Sequence, residues 1–140
     1  MKDSRSGKSY VELDVVADNY EDAIRRCSAI GGMLPEPRNA QENAFLEHMG
    51  TLYWFFLGAT DSFQEGHWGW NSDYTLVTWT SWMVGEPDMG TEQNCASMAR
   101  NYPVGNTTKT VWGSSWCVHP NHTKTPVVCE KIRKYTFITR

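Results

Sequence analysis

Four cysteines, Cys27, Cys95, Cys117 and Cys129, constrain this chain more than any other feature. Their number is even and no two form a Cys-x-x-Cys pair, which disfavours zinc and thioredoxin-like sites and favours two disulfides. Each bridge is expected to stabilise by ~2 to 4 kcal/mol, mainly by restricting the unfolded chain. Four cysteines allow three pairings, and the spacing alone chooses none of them. Disulfides require an oxidising compartment, so a secreted or extracellular protein is expected. Two sequons, Asn106-Thr107-Thr108 and Asn121-His122-Thr123, point the same way and make Asn106 and Asn121 glycosylation candidates.

Other function classes fall away on composition. The 140 residues match the usual size of one domain, and 13% aromatic content with seven tryptophans supplies ample core. A net charge of -3, with no basic cluster before the C-terminal tail, opposes nucleic acid as a partner. Apolar stretches such as Tyr53 to Leu57 fall far short of the ~20 residues needed to span a bilayer, so no membrane span is expected. The polar start, Met1 to Gly7, lacks the apolar centre of a secretory leader. Three parts are expected: a flexible N-terminal segment (1–9), one domain (10–130) and a basic tail (131–140).

The pattern along the chain predicts helices first and strands later. Tyr10 to Val16 reads as a strand. Asp18 with Glu21 reads as the capping box of a first helix, with Ala23, Ile24, Cys27 and Ile30 on its apolar stripe and Gly31-Gly32 as its stop. Asn39 with Glu42 opens a second helix carrying Phe45, Leu46 and Met49 before Gly50. Short strands follow at Tyr53 to Leu57, Trp68 to Trp70, Cys95 to Ala99, Val111-Trp112 and Val127 to Glu130. Between Gly66 and Cys95 periodicity is lost, a length that in a compact domain carries function. The fold class is α+β: two helices, small antiparallel sheets and a long loop.

Within that loop, Gly85-Glu86-Pro87-Asp88 places two carboxylates around one proline. Carboxylate oxygens are the ligands calcium prefers. A cis Glu86-Pro87 bond would let both side chains point to one side.

Reading outward from that segment, residues 10 to 130 resemble the C-type lectin-like domain family. Phe55-Phe56-Leu57-Gly58 with Thr60-Asp61 is similar to its Trp-Ile-Gly-Leu strand, and Glu65-Gly66-His67-Trp68-Gly69-Trp70 to its Glu-Gly-x-Trp-x-Trp stretch. Trp79, Gly85-Glu86-Pro87 and the ending Pro126-Val127-Val128-Cys129-Glu130 match in order. The resemblance implies a C-type lectin-like fold with disulfides Cys27–Cys129 and Cys95–Cys117. It also implies a calcium site in which Glu86 and Asp88 are ligands, with Glu92 or Gln93 as the neighbouring one and the carbonyl or amide of Asn94 beside them. Glu92 stands with Glu86 and Asp88 as the expected metal set. The departure follows Trp112, where Gly113-Ser114 replaces the family's Asn-Asp and removes two ligands from a cation that takes 6 to 8 oxygens. Asp61 and Glu65 match two positions of the family's auxiliary calcium site, but Met89 and Asn94 stand where further acids belong.

Two functional readings follow. In the first, Glu86, Asp88, Glu92, Asn94 and Ser114 recognise the hydroxyls of a mannose- or galactose-type glycan, directly or through a weakened calcium site. Trp82 flanks them as an exposed stacking ring, and Trp116 is the other exposed candidate. In the second, the domain has lost calcium and binds a protein partner through the same loop. Low monosaccharide affinity would make a homo-oligomer useful for avidity. Trp68, Trp70, Trp79 and Trp112 are expected in the core. His48, His67, His119 and His122 are expected on the surface. No nucleophile with a supporting base accompanies the paired carboxylates, so binding is expected rather than catalysis.

Overall fold

The computed structural model describes residues 2–3, 7–48, 53–87, 93–121 and 123–132. In chain order the elements are β1 (Lys2–Asp3), β2 (Lys8–Ala17), α1 (Tyr20–Ser28), α2 (Ala40–His48), β3 (Trp54–Thr60), β4 (Gly69–Trp70), β5 (Cys95–Val104), β6 (Thr107–Ser115) and β7 (Thr125–Ile132). One antiparallel sheet has the order β1-β2-β7 and the other β4-β3-β5-β6. This is the expected α+β, C-type lectin-like arrangement. The basic tail from Arg133 onward, Met49-Gly50 and His122 lie outside the described residues.

The strand β2 begins two residues before the expected Tyr10, because Lys8 pairs with Ile132 and its ammonium is buried in an ion network. Helix α1 starts one residue later than the Asp18 signal suggested. Asn19 is the cap and its side chain accepts from Asp22 N at 2.8 Å, while Asp22 Oδ2 accepts from Asp18 N at 2.9 Å. The cap is therefore shifted to Asn19, and the return bond from Asp22 goes to the amide of Asp18, one residue before it. Ile30 is exposed, since α1 ends at Ser28 and Gly31 (φ 76°) turns the chain away. Helix α2 is capped as expected, with Asn39 Oδ1 accepting from Glu42 N at 2.9 Å.

Strand β3 is the spine of the fold, and its unbroken apolar run reflects burial on both faces. Phe55, Leu57 and Ala59 enter one cluster with Tyr10, Leu46, Trp68, Trp70, Met98 and Trp112. Phe56 enters a second with Tyr20, Ala23, Cys27, Leu34, Cys95 and Cys129. Gly58 is required by close approach, because an added Cβ would sit 3.0 Å from Glu36 Cγ and 3.1 Å from the Leu34 carbonyl. Two disulfides fasten these layers: Cys27–Cys129 ties α1 to β7, and Cys95–Cys117 ties β5 to the segment after β6. The pairing implied by the resemblance is the one present.

Beneath α2 lies a buried ionic cluster. Lys8 Nζ donates to Glu42 Oε1 and to the Glu36 carbonyl, both at 2.8 Å, and lies 3.4 Å from Glu130 Oε1. Glu36 N donates to the same Glu130 oxygen at 2.9 Å, whereas Glu130 Oε2 is buried without a hydrogen-bond partner among the described residues. Burial pushes the Glu130 carboxyl up from 4.5 to about 7, against the pull of Lys8 and the Glu36 amide. The folded state therefore binds a proton that the unfolded state releases at lower pH. That contribution is fully present below about 4.5 and is lost as pH rises through about 7. Melting wild type and Glu130→Gln from pH 5 to 8 should show the wild type losing ground to the variant as pH rises. A pH-independent difference would show that Glu130 does not titrate in this window.

Candidate functional site

The chain after β4 returns to the sheet and docks along the outer edge of β6. Trp112 N donates to the Ser81 carbonyl at 2.9 Å, Met83 N donates to the Trp112 carbonyl at 2.8 Å, and Trp82 forms a parallel bridge to Trp112. A turn follows in which Glu86 N donates to the Met83 carbonyl at 2.8 Å and Gly85 takes φ 89°. The Glu86-Pro87 bond is cis. These contacts bring the Glu86 carboxylate to the last residues of β6.

There it meets Ser114. Glu86 Oε1 accepts from Ser114 N at 2.7 Å and from Ser114 Oγ at 2.6 Å. Gln93 Oε1 lies 3.1 Å from the same hydroxyl, so Gln93 is the neighbouring residue that reaches this cluster. Asp88 and Glu92, the other two carboxylates expected here, lie outside the described residues. Asn94 is engaged elsewhere: its carbonyl accepts from Thr60 Oγ1 at 2.6 Å and from Asp61 N at 3.1 Å. Its backbone thus closes the end of β3 and does not point to Glu86.

A calcium cage needs several oxygens converging on one point with their lone pairs open. Here Glu86 Oε1 is committed to two donors of Ser114. Among the described residues, no group of three or more His, Cys, Asp or Glu side chains can hold a metal ion. Glu86, Gln93 and Ser114, the described residues at this position, do not by themselves form a calcium cage. At the auxiliary position, buried Asp61 accepts from Gly66 N at 2.9 Å through Oδ2, while its Oδ1 has no hydrogen-bond partner among the described residues. The close approach of the Asp61 side chain, with burial and added like charge, raises the Glu65 carboxyl above its usual range. Two carboxylates alone do not supply a cage.

The tryptophans differ from expectation at two positions, Trp82 and Trp116. Trp68, Trp70 and Trp112 are buried and Trp79 packs against them, as expected. Trp82 does too: its ring makes edge contacts with Trp68 and Trp112, with centroids at 5.0 and 5.6 Å, so it is a half-buried wedge and not a free stacking platform. Trp116 is half-buried. Asn106 lies at the exposed tip of the β5–β6 hairpin and Asn121 in an exposed turn.

A cleft of about 230 Å3 adjoins Glu86 and was not legible in the sequence. Tyr53, Trp54, Tyr102 and Val111 line its apolar side, and Glu86, Ser97, Ser114 and Ser115 its polar side. Only the register of β3, β5 and β6 brings these residues together, although the missing side chain at Gly113 was a signal of open space.

Comparison with known proteins agrees with this architecture. A family model described as the lectin C-type domain matches residues 16–131. A perlucin-like protein from Mytilus galloprovincialis is 29% identical over 82 residues, covering 55% of this chain and 53% of that protein, so the match spans about half its length. Perlucin from Haliotis laevigata is 27% identical over 126 residues, covering 86% of this chain and 75% of that protein. The carbohydrate-recognition domain of the mouse scavenger receptor C-type lectin superposes with a TM-score of 0.73 at 24% identity, covering 91% of this chain and 92% of that one; it shares the fold. With the family model matched over most of its length and two disulfides in place, the chain belongs to the C-type lectin domain family.

Proposed function

We propose that this domain is an extracellular carbohydrate-binding lectin that recognises sugar hydroxyls directly through Glu86 and Ser114, without a calcium cage. The observation that carries this reading is the double hydrogen bond from Ser114 to Glu86 Oε1, which holds the carboxylate in place by protein donors. Both Ser114 donors reach Oε1, which leaves Glu86 Oε2 as the acceptor for a hydroxyl. Gln93 extends the polar surface, and Asp88 and Glu92 follow in the same loop. A carboxylate held by fixed donors makes a charge-assisted hydrogen bond without the entropy cost of ordering it on binding. One such cluster binds a single sugar weakly, so useful affinity comes from several copies acting together. Exposed Asn106 and Asn121 carry N-glycans in this reading, as their turns allow.

The test is a glycan array probed in millimolar calcium and again in chelator, paired with thermal melts in both. The same glycans should bind in both conditions, and the melting temperature should move by less than about 1 °C, since a ligand held only by the native state must raise it. Binding that disappears in chelator would overturn direct recognition and restore a calcium mechanism. An empty array in both conditions would leave the loop as a surface for a protein ligand.

A further inference from the structure

We infer that the sugar sits in the cleft on the outer face of the four-stranded sheet, reached through the gap at Gly113, and that its ligand is one neutral pyranose ring. This rests on the lectin reading above and names where and what that site binds.

Sheet register supplies the geometry. Trp54 pairs with Ala99, Ala99 with Val111, and Ser97 with Gly113. Side chains alternate across a strand, so Trp54, Ser97, Ala99, Val111 and Ser115 share one face, while Met98 and Trp112 enter the core on the other. The face carrying Phe56 and Cys95 is covered by α1 through the second core cluster. Beyond that cover, among the described residues, the face forms the cleft. A side chain at position 113 would stand between Ser97 and the loop. Glycine leaves that space empty, and a Cβ built there lies 3.8 Å from Glu86 Oε1. The gap joins the carboxylate cluster on the edge of β6 to the aromatic face of the sheet.

The lining selects the ligand class. Exposed Tyr53 (53%) and Tyr102 (37%) offer apolar faces of the kind that pack against the C–H side of a sugar ring, and Trp54, half-buried edge-on against Phe56, completes that wall. Ser97 and Ser115, with hydroxyls 2.7 Å apart, and Ser114 offer hydroxyl groups along one wall. Among the described residues, Glu86 is the one charged residue lining the cleft, and it is negative. A sialylated or sulfated sugar would meet like charge there, whereas a neutral ring would donate its hydroxyls to that carboxylate. The volume of about 230 Å3 holds one ring and not an extended chain.

Gly113→Val is the deciding variant. Ordinary van der Waals spacing around the added Cβ lets the chain fold, while the branched side chain fills the gap. Wild type, Gly113→Val and Glu86→Ala would be applied in chelator to an array bearing mannose-, galactose- and N-acetylglucosamine-terminated glycans and their sialylated and sulfated counterparts. Thermal melts would confirm that each variant is folded. Wild type should bind neutral termini only, and both variants should lose on the order of tenfold or more in affinity. Val111→Lys, at the apolar end of the cleft, should lose binding similarly and serves if Gly113→Val melts early. Folded Gly113→Val and Val111→Lys proteins that bind like wild type would overturn the cleft and leave the lectin reading standing. Preference for anionic termini would overturn the ligand class. Absence of glycan binding by wild type in either buffer would remove both readings together.

Discussion

Trp112→Ala is expected to lower the melting temperature by ~10 °C or more, the largest effect of any single substitution considered. The side chain is fully buried and is the hub of the tryptophan cluster, in edge contact with Trp70, Trp79 and Trp82 at centroid distances of 6.1, 5.8 and 5.6 Å. Truncating such a residue costs ~3 to 5 kcal/mol for lost transfer energy and cavity, and for a domain near this size each kcal/mol shifts the midpoint by ~2 to 4 °C. A second cost comes from α2. Trp112 Nε1 donates to Asn43 Oδ1 at 2.7 Å inside the core, and removing it strands a buried acceptor at ~1 to 3 kcal/mol. Trp112→Phe separates the two contributions, since it keeps an aromatic ring and loses the donor; it should fall between wild type and alanine in urea denaturation. The consequence reaches the site. The backbone of residue 112 holds Ser81 and Met83, so a loosened β6 edge should also weaken glycan binding. A loss under about 1 kcal/mol would mean that the cluster repacks around the cavity.

Removing the Cys27–Cys129 bridge should cost nearly as much. It closes a sequence separation of 102 residues, for which chain entropy gives ~4.7 kcal/mol, against ~3 kcal/mol for the separation of 22 closed by Cys95–Cys117. Cys27→Ala/Cys129→Ala should therefore melt below Cys95→Ala/Cys117→Ala, with the two single-disulfide forms compared under identical buffer. The functional order should reverse. Cys95 sits at the start of β5, beside Gln93 and the loop, and Cys117 just past Ser114 and Ser115. Tyr20 N donates to the Cys117 carbonyl at 2.8 Å, so this bridge also anchors the site's edge to α1. Loss of Cys95–Cys117 should weaken glycan binding more than its smaller stability loss suggests. If the shorter bridge proves the more stabilising, the entropy account fails and native-state contacts of Cys95 and Cys117 set the cost.

Local chemistry and pattern determined much of this protein before any coordinates. Asn39 with Glu42 announced the start of α2, the aromatic run from Tyr53 to Leu57 announced a strand, and the cysteines announced two bridges. Those signals are short-range, written in capping groups, periodicity and composition, and neighbouring residues carry them whole. Glu86 and Ser114 were legible as candidates because their residue types and motif positions carry chemistry. Their relation to each other was not, since 28 residues separate them in the chain. The inward turn of Trp82, the engagement of Asn94 with Thr60 and Asp61, and the cleft between Trp54 and Gly113 were equally hidden. Each depends on which strand lies beside which and in what register, and a slip of one residue would send every side chain to the opposite face. Tertiary structure alone decided that register, because it is set by the packing of both cores around β3 and not by any segment of sequence.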